Sequence, residues 1–262
     1  MLVKTIALFL TLTSAALACE MDCRRGVSTD FADVYKPIID MSVNRLQKQL
    51  TSSIPKVSAP SKITTHVSNG ELVDDIRASI KSTLEQFANT ELSKPRLAEG
   101  FYQVIFNEEN PYKGDCNNPK RLTRKMPPKG ESWTLEECEK MDYRCGNPPS
   151  ICHFLDDVKE RCIGRIRRQV GEYASFDNGV LVKNLAKDTR RSIHRTLAKH
   201  GVGQLSEDKA VSMYVTKVVA SIVGALDQWV EKDIGQLCEG PDQEEVCNSW
   251  NDDIKKKILV WP

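Results

Sequence analysis

Residues 133–162, from Trp133 to Cys162, read WTLEECEKMDYRCGNPPSICHFLDDVKERC, and the fold turns on how this stretch is understood. It carries four of the nine cysteines, Cys138, Cys145, Cys152 and Cys162, and the pair Pro148-Pro149 divides it into two helical segments. Thr134 with Glu137 three residues later is a capping box, in which two side chains satisfy backbone N–H groups that a first helical turn leaves open. The prolines cannot continue that helix, and Ser150 supplies the cap for the next one, which runs to about Tyr173. On it Cys152 and Cys162 stand about 15 Å apart along the axis, at ~1.5 Å per residue, so they cannot bond each other. Each must reach a different neighbour. The expectation is a disulfide-pinned helix–turn–helix that anchors the long helices on both sides.

Working outward toward the C-terminus, Ser175 to Gly179 reads as a turn and Val180 to His200 as a helix stopped by Gly201. Ser206-Glu207-Asp208 then opens what reads as the longest and central helix, to about Leu237. Its apolar stripe is Val211, Tyr214, Val215, Val218, Ile222, Ala225, Leu226, Trp229 and Ile234. Cys238 and Cys247 bracket Gly240-Pro241, the pattern of a local disulfide, and a last helix covers about Glu244 to Val260.

Working outward toward the N-terminus, residues 108–133 lose periodicity and carry Pro111, Pro119, Pro127 and Pro128. A loop this long needs a pin or a function. Cys116 is the pin, with Cys138 or Cys145 as its partner. Before it come a helix from Ser93 to about Asn107 and one from about Glu71 to Leu92. Ile54 to Ser68 reads as an extended connector. A helix begins at the cap Ser28-Thr29-Asp30 and ends near Ser53, with Pro37 kinking it or marking its true start. Glu20 to Gly26 is a short arm bearing Cys23. No strand-like alternation of useful length occurs. The fold class is all-α, a disulfide-stapled bundle of about six to eight helices.

Residues 1–18 have the layout of a secretory signal peptide: Lys4, then an apolar run from Ile6 to Leu12, then Ala16-Leu17-Ala18 as a cleavage site. Removal leaves 19–262 as a single secreted domain, and no later segment is free enough of charge to span a bilayer. In an oxidising compartment the cysteines are disulfide candidates: Cys19, Cys23, Cys116, Cys138, Cys145, Cys152, Cys162, Cys238 and Cys247. No two of them have the C-x-x-C spacing of zinc or redox sites. Nine is odd, so one thiol is free or pairs with a second chain, which makes a disulfide-linked dimer one outcome.

Net charge is +1, which gives no global field for a polyanion. The charge is unevenly placed, however. Between Val158 and His200 eleven Lys and Arg face four acids. A basic face built from Arg165, Arg167, Arg168, Lys187, Arg190, Arg191 and Arg195 suits an anionic lipid, a glycan or an acidic protein. Few aromatics accompany it, which argues against nucleic acid.

His153, with Asp156 and Asp157 at i+3 and i+4, is the sharpest candidate for catalysis. It resembles the His-Asp pair of the secreted phospholipases A2, but those enzymes place the Asp immediately after the His and add a glycine-rich calcium loop, and neither is here. No nucleophile elbow or zinc helix occurs. Acid pairs such as Asp74-Asp75, Glu136-Glu137 and Asp252-Asp253 point apart on a helix and mark solvated faces. The reading is a secreted, non-enzymatic binding or effector-like protein without cofactor, metal or catalytic residue. The alternatives are an extracellular carrier of lipid or small hydrophobic ligands, built around the Met213 helix, and a secreted hydrolase using His153.

Expression through a secretory pathway should release a chain that begins at Cys19. Intact mass and N-terminal sequencing check this, and a secreted product that retains residues 1–18 counts against it.

Overall fold

The computed structural model describes residues 2–107, 155–175 and 179–239, with side chains placed from Arg25 onward apart from Val27, Asn107, Leu155 and Asp156. The stretch 133–154, the loop 108–133, the 238–247 closure and the C-terminal helix lie wholly or partly outside the described residues. So do Cys116, Cys138, Cys145, Cys152, Cys247 and His153.

Among the described residues the chain is helical and has no strand. The helices are α1 (Leu2–Ser53), α2 (Ser61–Thr64), α3 (Asn69–Thr90), α4 (Lys94–Tyr102), α5 (Leu155–Ala174), α6 (Val180–Lys199) and α7 (Lys209–Gln228). Two π-helical turns extend α4 through Asn107 and α7 through Ile234. The described residues form two compact units, one from 2–38, 94–107 and 155–165, the other from 39–93, 166–175 and 179–239.

Helix α1 differs from its expectation at its start. It runs through 20–26, read as an arm, and through the expected cap at 28–30. Ser28 is buried inside the helix, and the Thr29 hydroxyl donates to the Arg25 carbonyl at 2.9 Å. That is how a hydroxyl residue is satisfied in a helix interior rather than at its end. Pro37 also lies within it. Its exposed position lets water solvate the carbonyl that loses its N–H partner. With 52 residues, α1 and not α7 is the longest helix described.

The connector 54–68 is also more ordered than an extended chain. Pro55 starts a 3-10 turn over Ile54–Lys56, and Ser61–Thr64 makes one α-turn. Ile54, Ile63 and Val67 are buried, so three apolar side chains hold a segment whose Pro, Ser and Thr content argues for loop.

In the first unit, Tyr35 of α1 stacks on Phe101 of α4 with ring centroids 5.5 Å apart, and its hydroxyl donates to the Lys159 carbonyl of α5 at 3.4 Å. Lys94 pairs with Asp33 at 2.7 Å. Arg165 lies across Gly100, where an added Cβ would stand 2.9 Å from the guanidinium Nε. A side chain at position 100 would push the Arg165 side chain aside.

In the second unit, α6 packs on both α3 and α7. Each helix contributes one stripe, such as Leu72, Ile76, Ile80, Leu84 and Phe87 from α3, at the 3–4 spacing that brings side chains to one face. Burial of each such side chain stabilises by about 1.5–3 kcal/mol. Asp208 caps α7 by accepting from the Ala210 N–H at 2.7 Å. Gly201, at φ +73°, ends α6 as the sequence implies. Its N–H reaches the Ala198 carbonyl and that of Val202 reaches Leu197, both at 3.0 Å, the paired bonds of a Schellman cap. Trp229 is fully buried at the end of α7. Its indole N–H donates to the Ser42 hydroxyl at 2.8 Å and lies 3.1 Å from the Ser42 carbonyl, which ties α7 to the second half of α1.

By length and composition Lys209–Ile234 would pass for a membrane span, with 39% of its most apolar window buried. Its Val211, Tyr214, Val218, Ile222, Leu226 and Trp229 are buried side by side, the pattern of a core helix.

Trp229→Phe keeps most of the apolar contact but leaves Ser42 without its donor. A loss of about 1–3 kcal/mol is expected in chemical denaturation, because the polar group stays buried. A loss under about 0.5 kcal/mol would show that Ser42 finds another partner.

Candidate functional site

Two helices of the second unit, α3 and α6, meet along a set of polar pairs rather than only through their apolar stripes. The Thr83 hydroxyl of α3 donates to Asp188 Oδ2 of α6 at 3.0 Å. The same pairing recurs with the helices exchanged: the Thr196 hydroxyl of α6 donates to Asp75 Oδ2 of α3 at 2.6 Å. Each partner moves eight residues between the two bridges, forward on one helix and backward on the other, so the helices are antiparallel and the bridges lie about 12 Å apart along the axis at ~1.5 Å per residue. One step further in the same register, Glu71 accepts from Lys199 at 2.6 Å and lies 3.0 Å from His200 Nε2.

Both threonines are buried, with 6% and 2% of their surface exposed, while the carboxylates they hold are half-buried and reach the surface. A hydroxyl underneath each carboxylate fixes one of its oxygens, and the other oxygen of Asp188 faces Arg191 at 3.6 Å.

Between the bridges the helices diverge into a groove of about 460 Å³, lined by Asp75, Ala78, Ser79, Ser82 and Thr83 from α3 and by Asp188, Arg191, Ser192 and Arg195 from α6. Its size falls in the range of about 300–1,000 Å³ typical of ligand sites. It opens because its middle is built of Ala and Ser, the smallest side chains that still fit a helix. The hydroxyls of Ser79, Ser82 and Ser192 make no hydrogen bond among the described residues. Arg191 stands 3.6 Å from Asp188, and Arg195 has no ion-pair partner there. The groove thus offers two guanidinium forks, two half-buried carboxylates and three unengaged hydroxyls.

The two carboxylates sit at opposite ends of the groove. About 12 Å of axial offset exceeds the roughly 5–9.5 Å that glycoside-hydrolysing acid pairs need. Among the described residues no group of three or more His, Cys, Asp or Glu is placed to hold a metal ion.

The expected basic face is divided by the structure. Arg165, in the first unit, is half-buried against Gly100 with its Nε unpaired. Arg167, in the second, donates to the Ile234 carbonyl at 3.3 Å and to Glu239 at 2.6 Å, closing the turn that follows α7. Neither is a free surface cation. Arg168 is exposed and also engaged. The cations of α6 behave differently: Lys183, Lys187, Arg190, Arg191 and Arg195 are all exposed. Apart from Arg191 beside Asp188, none of them makes an ion pair among the described residues. Lys183, Lys187, Arg191, Arg195 and Lys199 follow one another at i, i+4, and so form one ridge about 24 Å long at ~1.5 Å per residue.

Cys162 is not a disulfide partner. It is a free thiol, wholly buried among α5's apolar positions, and burial pushes its pKa well above the ordinary thiol range. An apolar site disfavours the thiolate that disulfide exchange requires. Cys238 is not free. Met213 is 54% exposed, so it lines no enclosed ligand cavity.

Of the acid pair Asp74-Asp75, Asp74 turns outward to Arg77 at 3.1 Å while Asp75 turns to Thr196. The two neighbours point apart as expected, and the groove member is the one whose face meets α6. Thr83, Thr196, Ser79 and Ser192 carry no signal in the sequence beyond being polar residues at apolar-stripe spacing. That irregularity was the clue.

The Lys199 ammonium, then His200, hold the Glu71 carboxyl below the usual carboxylate range, and Glu71 in turn raises Lys199. The depressed carboxylate stabilises the fold above its unfolded pKa, and the effect is lost as pH falls through the folded value. The raised ammonium stabilises below its unfolded pKa and loses that effect as pH rises through its folded value.

Comparison with protein-family models, with curated proteins and with solved structures found no match.

Denaturation of wild type and Glu71→Gln should differ most near neutral pH and converge at both acid and alkaline extremes. A constant difference across pH would assign the effect to packing rather than charge.

Proposed function

We propose that this chain is a secreted, non-enzymatic binding protein that engages an extended polyanion through the cation ridge of α6, and that the polyanion is an acidic glycan. One observation carries the reading. Lys183, Lys187, Arg190 and Arg195 stand exposed on one helix without ion-pair partners among the described residues, although the whole chain is almost neutral. Ordinary solvated faces interleave both signs, as Asp157 with Arg161 and Asp74 with Arg77 do elsewhere in this protein. On α6 the one acid, Asp188, stands beside Arg191, and Lys183, Lys187, Arg190 and Arg195 have no such neighbour in an ion pair among the described residues.

The character of the surface favours a glycan over the other anionic partners. Helix α6 has no Phe, Tyr or Trp on which bases could stack, and Tyr173 nearby is engaged by Phe87 and Glu91. Membrane insertion needs apolar anchors beside the cations, and on α6 only Val180 is a large exposed hydrophobic residue. Cations about 6 Å apart along a straight helix suit a repeating, extended chain of charges. Residues 1–18 act as the secretory leader. The cysteines other than Cys162 pair in disulfides, Cys238 with Cys247 among them. The odd cysteine is then Cys162, whose burial keeps it out of any interchain bond.

Immobilised heparin serves as the test polyanion. The wild-type protein should be retained and released by salt, and the triple change Lys183→Glu, Lys187→Glu, Arg190→Glu, all outside the groove, should lower affinity by at least about tenfold, since exposed charges act through a screened field. Equal retention of wild type and variant would overturn the reading. Retention only on anionic vesicles would replace the glycan with a lipid surface.

A further inference from the structure

The ridge explains attraction to any polyanion, but not the groove beside it. If charge were all that mattered, two carboxylates between Arg191 and Arg195 and the approaching ligand would only weaken binding. Yet Asp75 and Asp188 are each held from beneath by a buried threonine hydroxyl, at 2.6 Å and 3.0 Å. They are thereby aimed at the groove that the two arginines line. A ligand that satisfies all of these groups must bring a hydrogen-bond donor and an anionic acceptor to each end of the groove, about 12 Å apart. A phosphate chain brings acceptors alone. A hydrophobic ligand brings neither.

We propose that the groove between α3 and α6 is a saccharide subsite that reads two consecutive acidic sugar units of the polyanion, one at each end. Asp188 and Arg191 take one ring and Asp75 and Arg195 the next, each carboxylate accepting from ring hydroxyls and each guanidinium holding a sulfate or carboxylate. Ser79, Ser82 and Ser192 supply hydroxyls that donate or accept as the rings present themselves. Guanidinium forks match planar carboxylate and sulfate oxygens in a bidentate way that lysine cannot, which accounts for arginine rather than lysine at the two ridge positions that enter the groove. The inference rests on the polyanion reading and sharpens it: the ridge gives affinity for negative charge, and the carboxylates discriminate against anions that have no hydroxyls. No covalent step is involved.

The test compares two probes on the full secreted protein, a heparin hexasaccharide and a polyphosphate of similar charge. Wild type should prefer the saccharide. The double variant Asp75→Asn, Asp188→Asn, which is isosteric, should bind polyphosphate better and the saccharide worse. The preference should then fall by more than about tenfold, since two charge-assisted hydrogen bonds are weakened and each is worth about a factor of ten or more. Because these residues also join the helices, Ala78→Phe provides a second arm, filling the groove without touching either bridge or any charge. It should reduce saccharide binding while leaving polyphosphate binding unchanged. As a third arm, N-acetylglucosamine 6-sulfate should displace the hexasaccharide at a concentration where inorganic sulfate does not.

A rise in both affinities by the same factor in the Asn variant would show that the carboxylates only oppose charge, and would overturn the subsite. Equal competition by sulfate and the sulfated sugar would do the same. Wild type that binds neither polymer would overturn the ridge reading together with the subsite. Polymer binding lost on charge reversal of the ridge, but with an unchanged preference in Ala78→Phe, would leave the ridge standing and remove the subsite alone.

Discussion

Two threonine–aspartate bridges set the register between α3 and α6, and the features of functional interest follow from that register. A half-buried carboxylate needs a donor at a definite place, since the cost of leaving it unpaired rises as water is excluded. Thr83 meets Asp188 and Thr196 meets Asp75 only when the helices run antiparallel at one alignment. A slip of one helical turn would break both bridges and also part Glu71 from Lys199 and His200. Apolar stripes alone tolerate such slips far better, because Leu, Ile and Val interchange neighbours at little cost. The polar pairs therefore decide which of several similar apolar alignments is adopted, and small residues between them leave the groove open.

That alignment separates two classes of arginine that have the same composition. Arg165 lies across Gly100, and Arg167 closes the carbonyl end of the turn after α7. Their guanidinium groups serve the fold, using the stem for packing and the head for local contacts. Lys183, Lys187, Arg190, Arg191 and Arg195 project from α6 because Leu181, Leu185, Ile193 and Leu197 commit its opposite face to the core. A long amphipathic helix with an apolar inner face and a cationic outer one concentrates charge in a line without any special device. Function, on this reading, uses the side of the helix that folding leaves over.

Much of the fold was legible from periodicity. The helices at 69–90, 94–102, 180–199 and 209–228 lie where their apolar spacing places them, Gly201 ends α6, and the all-α class holds for the described residues. What periodicity missed was continuity and local order. Ser28-Thr29-Asp30 has the composition of a cap, but a cap is favoured only where a helix ends, and no proline lies upstream to end α1. Ile54 to Ser68 looks like loop by composition, yet Ile54, Ile63 and Val67 reach the core and fold it into short turns. Tertiary burial outweighed local propensity in both places. The candidate site was half legible: its arginines belong to a recognisable basic band, whereas Asp75 and Thr83 have no partner until α6 is placed beside α3.

By itself, then, the chain's sequence determined which residues turn inward and which cations accumulate on α6, because both depend on spacing along one helix. It also determined where helices stop, since a glycine at positive φ is a local matter. Only the tertiary structure decided which acids face those cations, that Cys162 is a buried free thiol, and which arginines of α6 stay out of ion pairs among the described residues. Those outcomes depend on contacts between residues about a hundred positions apart, such as Thr83 with Asp188. Pairing at that distance is settled by how two surfaces fit and what water they exclude, and no spacing along the chain encodes it.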